Sequence, residues 1–300
     1  MENFILTFSF LLIGMGLRRI PQFPENSAQA LNLFVIYVSL PALVLLKIPG
    51  LVFSSKLMVP ILMPWLMLAA TAAIILLLAR LLGWRKEIVG ALLLLVPLGN
   101  TSFLGIPMVK AFFGEQGIPF AVLYDQLGSF LALATYGSVV LAVYGHQGAG
   151  PSAAPIIKRI ATFPPFIALL IAFVVLRRFS LPDVAQVLLG DLAATLVPVV
   201  MIAVGFQISF RLKAEVVKPL VVGLVVKLCV APLLALLFCR FFELDSLAAR
   251  VAVFEAGMPP MVSAGAMAII AGLSPELTAA LVGGGIILSF VTLPILFQFF

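Results

Sequence analysis

Long apolar runs alternate with short polar connections along the whole chain. A helix needs about 20 residues to cross ~30 Å of hydrocarbon, and on that measure the runs predict ten spans. They are Asn3–Leu17, Ala28–Leu46, Leu57–Ala79, Ile88–Val109, Ile118–Tyr144, Ile160–Leu176, Val184–Phe210, Pro219–Cys239, Val251–Leu273 and Leu277–Phe300, the first of them short for a span. The runs are continuous rather than alternating in polarity, which argues against a transmembrane barrel. No connection is long enough to fold alone, so the expected fold class is an all-α polytopic membrane protein. Two runs are interrupted, at GNTSFLGIP (Gly99–Pro107) and GMPPMVSAG (Gly257–Gly265), with leading glycines 158 positions apart. A helix that unwinds within lipid has to line a cavity or have its freed backbone groups satisfied by protein.

The second half of the chain echoes the first. At an offset of 157, Gln186 falls on Gln29, Pro198 on Pro41, Phe210 on Phe53 and Lys213 on Lys56. At 158, Gly257 falls on Gly99, Gly272 on Gly114 and Leu281 on Leu123. A near-constant offset predicts two repeats, 1–147 and 148–300, of five spans each. Five is odd, so the second copy is expected inverted, with interrupted spans 4 and 9 crossing at mid-membrane. Pro97, Gly99, Gly105 and Pro107 weaken one helical ladder, and Gly257, Pro259, Pro260 and Gly265 weaken the other. Opposed half-helix N-termini would favour an anionic group. Proline and glycine also simply kink membrane helices; two clusters at the repeat spacing favour the functional reading.

Composition fixes the environment: 63% hydrophobic and 10% charged residues, with a mean hydropathy of +1.26, lie outside the range of soluble domains. Glu2 stands where a secretory signal would carry basic residues, and Arg18 and Arg19 follow the first run, as in an uncleaved helix with its N-terminus outside. Alternating onward, the inner loops carry ten basic residues (Arg18, Arg19, Arg80, Arg85, Lys86, Lys158, Arg159, Arg211, Lys213, Lys218) and the outer loops seven (Lys47, Lys56, Lys110, Arg177, Arg178, Arg240, Arg250). The bias predicts both termini outside. The net charge of +6 suits anionic lipid and calls for no nucleic acid. Cys229 and Cys239, ~15 Å apart along one helix, cannot pair with each other and read as packing residues.

Ionisable residues within lipid are costly and usually serve a pathway or find a partner. Asp125, Lys227 and Glu255 stand out, and none has an ionisable mate at its repeat position. Two readings stay open: Asp125 or Glu255 carries a proton or cation, or Lys227 pairs with one of them and fastens helices together. Glu255 is also placed to cap the second break, and Lys110 to snorkel to the headgroups. Asn100, Thr101 and Ser102 at the first break, with Ser263 at the second, either bind a carboxylate or mend lost backbone bonds. Gln207 and Tyr124 are weaker candidates, and Tyr37, Phe103 and Met258 suit an apolar lining. Against an enzyme, the single histidine, His146, falls in a loop, and neither HExxH, a zinc set nor a phosphate loop occurs. No metal or cofactor is expected.

GNTSFLGIPMVKAFFG (Gly99–Gly114), GMPPMVSAG and YVSLPALV in the second span resemble the signatures of the auxin efflux carrier family, which includes plant PIN-type carriers and bacterial malonate-type permeases. The resemblance covers essentially the whole chain. It implies ten helices in two inverted repeats, similar to bile-acid symporters and sodium/proton antiporters, and transport of a small organic anion. It also implies that Asn100 meets the substrate carboxylate near the crossing prolines. The expected substrate-binding set is Asn100, Thr101, Ser102, Gly105, Pro107, Gly257, Met258, Pro259, Pro260 and Ser263. Expected partners are a small organic anion and membrane lipid, with a proton or sodium ion as candidate coupling ion and a homodimer as candidate assembly. The expected location is the cell membrane, a bacterial inner membrane by the resemblance. A channel or a non-transporting sensor on the same fold is the alternative. The connection from His146 to Arg159 is short where plant PIN-type carriers have a long hydrophilic loop, so regulation through such a loop is not implied.

Overall fold

The computed structural model describes residues 2–24, 26–51, 54–145, 153–176, 178–179, 181–207 and 216–300. Phe53, His146, Arg177, Phe210, Arg211 and Lys213 lie outside the described residues. The described chain is helical, with a single isolated bridge between extended residues. Its helices are α1 (Glu2–Leu17), α2 (Ser27–Lys47), α3 (Ser55–Leu82), α4 (Lys86–Leu95), α5 (Thr101–Phe113), α6 (Glu115–Tyr144), α7 (Ala153–Ala161), α8 (Pro164–Val174), α9 (Asp183–Gln207), α10 (Val217–Phe241), α11 (Leu247–Ala256), α12 (Val262–Ile270) and α13 (Pro275–Phe297). Among the described residues α2, α3, α6, α9, α10 and α13 are long and apolar enough to cross a membrane. Phe4–Leu17, Thr101–Phe113 and Pro164–Val174 are shorter apolar helices.

The run expected to begin at Ile160 starts as a helix only at Pro164. Phe163 is extended (ψ 115°) because a residue before proline avoids the helical region, and the two prolines then occupy the first helical turn.

The chain divides into two compact units. One comprises 1–54, 102–122 and 157–208. Its α1 and α9 meet backbone to backbone: the bare Cα of Gly14 lies against the Ile202 carbonyl, and that of Gly205 against the Leu11 carbonyl. In lipid, close approach through small residues replaces the missing hydrophobic drive between helices. Thr195, where α9 bends, donates to the Leu192 carbonyl and receives the Ser39 hydroxyl at 2.7 Å, which ties α2 to α9. At the ends of α2 and α5, Lys47 and Lys110 each lie 2.7 Å from the Glu115 carboxylate. Lys110 is thus an ion-pair partner as well as an end-of-helix cation.

The other unit comprises 55–101, 123–156 and 209–300. Its interior is built on the two short helices α4 and α11, buried at every position from Ile88 to Leu95 and from Ala248 to Ala256 except Arg250. A helix apolar all round belongs in an interior. The Tyr136 hydroxyl donates to the Leu93 carbonyl near the end of α4 at 2.9 Å, and the Ser246 hydroxyl accepts from Ala249 N–H at the start of α11. Cys239 is buried, but Cys229 is exposed, so only Cys239 acts as core packing.

Candidate functional site

The chain leaves the helix after α4 and again after α11, and the two extended stretches cross antiparallel at Gly99 and Pro260. Asn100 N–H donates to the Pro259 carbonyl at 2.7 Å, and Met261 N–H donates to the Leu98 carbonyl at 3.0 Å. Proline at 97, 259 and 260 has no N–H to offer a helical ladder, so each break satisfies part of the other, as buried backbone in a membrane must. Asn100, Met258 and the crossing prolines are buried.

The hydrogen bonds fix the register. Acceptors Leu98 and Pro259 are 161 positions apart, as are donors Asn100 and Met261 and the first residues of α4 and α11. The 158 offset read from the glycines is therefore corrected at the crossing: Pro260, not Gly257, answers Gly99, and Ser263 answers Ser102. It holds farther on, where α5 and α12 run out into Gly114 and Gly272, both left-handed at φ 73° and 75° and 158 positions apart. The stretch from Gly99 to Gly114 has three more residues than that from Pro260 to Gly272, and part of the excess is taken up in a π-helical turn at Thr101–Gly105.

Two more π-helical turns carry the ionisable residues: Tyr124–Phe130 in α6 with Asp125, and Val226–Val230 in α10 with Lys227. Such turns mark functional positions more often than chance. Asp125 accepts from the Thr101 hydroxyl and the Gln126 amide, each at 2.6 Å. Thr101 thus serves Asp125 and leaves backbone repair to the opposite strand. Lys227 donates to the Ala256 carbonyl, the last of α11, at 3.3 Å, a cation at the negative end of a helix dipole. It makes no hydrogen bond to a carboxylate of Glu255, whose two oxygens, fully buried, accept none. Glu255 caps no amide either. A methyl group on Gly99 would lie 3.1 Å from Lys227 Nζ, so the ammonium sits directly against the crossing. Glu255, Lys227, Gly99, Pro97, Tyr124, Thr71 and Ser129 enclose a void of about 10 Å³, room for one water. A larger cavity, about 340 Å³ and lined by Arg240, Glu243, Asp245, Arg250 and Phe300 among others, lies away from the crossing residues in the same unit.

Asn100 Nδ2 is buried without a hydrogen-bond partner. The nearby N-terminus of α12 has no side-chain cap. Of the other expected residues, Gly257 is buried beside the crossing, and Ser263 is half-buried in the first turn of α12. Ser102, Gly105 and Pro107 continue into α5, within the other compact unit. Tyr37 is exposed, whereas Phe103 is buried; Gln207 donates to the Ala203 carbonyl of its own helix. The sequence reading missed Gln126. Its signal was there: three polar residues in a row, Tyr124, Asp125 and Gln126, inside an apolar span.

The family model described as membrane transport protein matches residues 1–148 and 152–297. An "uncharacterized transporter" of Methanothermobacter thermautotrophicus is 28% identical over 98% of this chain and 96% of its own length. The "uncharacterized transporter MJ1031" of Methanocaldococcus jannaschii is 26% identical over 96% of this chain and 94% of its own.

Proposed function

Because the chain belongs to the membrane transport protein family, the auxin efflux carrier family its fourth-span signature resembles, we propose that it carries a small organic anion across the membrane by alternating access. The anion is a mono- or dicarboxylate, auxin-like acids included, and the scaffold is ten spans in two inverted five-helix repeats. The observation that carries this reading is the Asn100 amide, buried with an unused donor at the crossing. A buried unsatisfied donor costs about 1–3 kcal/mol, a cost that a carboxylate acceptor removes. The uncapped start of α12 supports an anion at the same place.

The test is uptake into proteoliposomes of labelled malonate, other mono- and dicarboxylates and indole-3-acetate, preceded by a thermal-shift screen of the same compounds. Saturable uptake of at least one acid is expected. Asn100→Ala is expected to weaken its apparent affinity by about tenfold or more, the loss of one hydrogen bond to a charged group, with expression unchanged. Uptake by Asn100→Ala equal to wild type counts against the assignment.

A further inference from the structure

Among the described residues, three buried ionisable groups lie beside the crossing, and their surroundings differ. Asp125, Glu255 and Lys227 are exposed by only 1%, 0% and 4%, in a site that water barely enters. A buried carboxylate that is ionised and receives no hydrogen bond is strongly destabilised, so an acidic group left without donors holds a proton instead. The hydrogen bonds say where it goes. Asp125 receives two short donors, from Thr101 and Gln126, which suit an ionised carboxylate. Neither oxygen of Glu255 receives any. Among the described residues, the charged and titratable groups facing Glu255 are Lys227 from α10 and Asp125 and Tyr124 from α6. Thr71 of α3 and Gly99 line the same void and do not titrate.

We propose that Glu255 is a proton-binding site beneath the crossing, neutral in this conformation and linked to the anion that Asn100 binds. The linkage half rests on the carrier reading above; the proton half does not. Its sign follows from charge. With Glu255 protonated the cluster carries one negative charge fewer than with Glu255 ionised, so an incoming carboxylate meets less repulsion when the proton is bound. Linkage is reciprocal, so bound anion also holds the proton, and the two travel in the same direction. Loss of the proton leaves Lys227, a flexible chain now on the Ala256 carbonyl, as a cation able to swing toward Glu255 and compensate it.

Infrared spectroscopy of the reconstituted full-length protein reads the proton directly. At neutral pH in H2O and D2O, wild type is expected to show the carbonyl band of one protonated carboxyl. The band should move in protein labelled with carboxyl-13C glutamate, stay in place in protein labelled with carboxyl-13C aspartate, and vanish in Glu255→Gln. The labelling arm uses wild type alone, so a folding defect in the variant does not blunt it. A band that follows aspartate, or no band, overturns the proton site, and so does a wild-type band that appears only when sodium is withheld, since the site would then be a cation site.

Uptake of labelled malonate and indole-3-acetate reads the linkage. In wild type the apparent affinity should weaken as pH rises, approaching about tenfold per pH unit for one linked proton, and the dependence should flatten in Glu255→Gln. A steep profile retained by that variant overturns the linkage. If wild type takes up no acid at all, the carrier reading and the linkage fall together, while the infrared band still decides the proton site.

Discussion

Two carboxylates within one buried cluster are treated differently by their surroundings, and the difference lies in single donors. Thr101 and Gln126 each place a 2.6 Å bond on Asp125, whereas Glu255 has none. Thr101→Val keeps the shape of the side chain and removes one of those donors. Asp125 then loses a bond to a charged acceptor, worth about 1.5–3 kcal/mol. A lower thermal midpoint of the purified protein is the expected result, with the protonated-carboxyl band of Glu255 still present. An unchanged midpoint would mean that Gln126 alone suffices. The two acidic residues and Lys227 were legible in the sequence as costly charges in apolar spans, and Asn100 through the family signature. Who bonds whom was not legible, because Thr101 and Asp125 are 24 positions apart and each sits in a π-helical turn. One extra residue in a turn rotates every later side chain by about 100°, so helical periodicity carried across such a turn points to the wrong face.

At the scale of elements, the breaks themselves were readable: prolines without N–H and flexible glycines end α4 and α11 where the sequence said they would. Their mutual register was not, since glycine repeats spaced by 158 align the far ends of α5 and α12 while the crossing obeys 161. A three-residue difference between two landmarks is invisible when only one constant offset is sought. Packing beside the site depends on an equally local feature. The ring of Pro64 in α3 rests directly on the bare Cα of Gly128, within the π-helical turn that carries Asp125, and the Trp65 indole N–H donates to the neighbouring Leu127 carbonyl at 3.0 Å. A methyl group at position 128 has no room against a rigid ring. Gly128→Ala is therefore expected to cost about 1–3 kcal/mol, the usual penalty of overpacking, and to push α3 away from α6. Denaturation of the reconstituted protein measures the first effect. The second should appear as a shifted midpoint in the dependence of uptake on pH, because Asp125, whose charge faces Glu255, moves with the turn.

For the molecule as a whole, the energetic state of the empty site decides what kind of flux it supports. Without an anion, the Asn100 amide is buried and unbonded and the start of α12 has no side-chain cap. A carrier returning empty keeps both deficits, whereas one returning with an anion on the crossing has both relieved. Exchange of one anion for another should therefore outpace net movement. Efflux of preloaded, labelled acid from proteoliposomes should speed up when the same unlabelled acid is added outside, and Asn100→Ala should narrow the gap, because that side chain no longer distinguishes the two return paths. A channel built on the same broken helices has no return step, so external acid would leave its efflux unaccelerated. A sensor would bind the acid, shift its melting temperature and move none. The discriminating quantity is the ratio of the two efflux rates, which a carrier with this crossing holds above one and a pore does not.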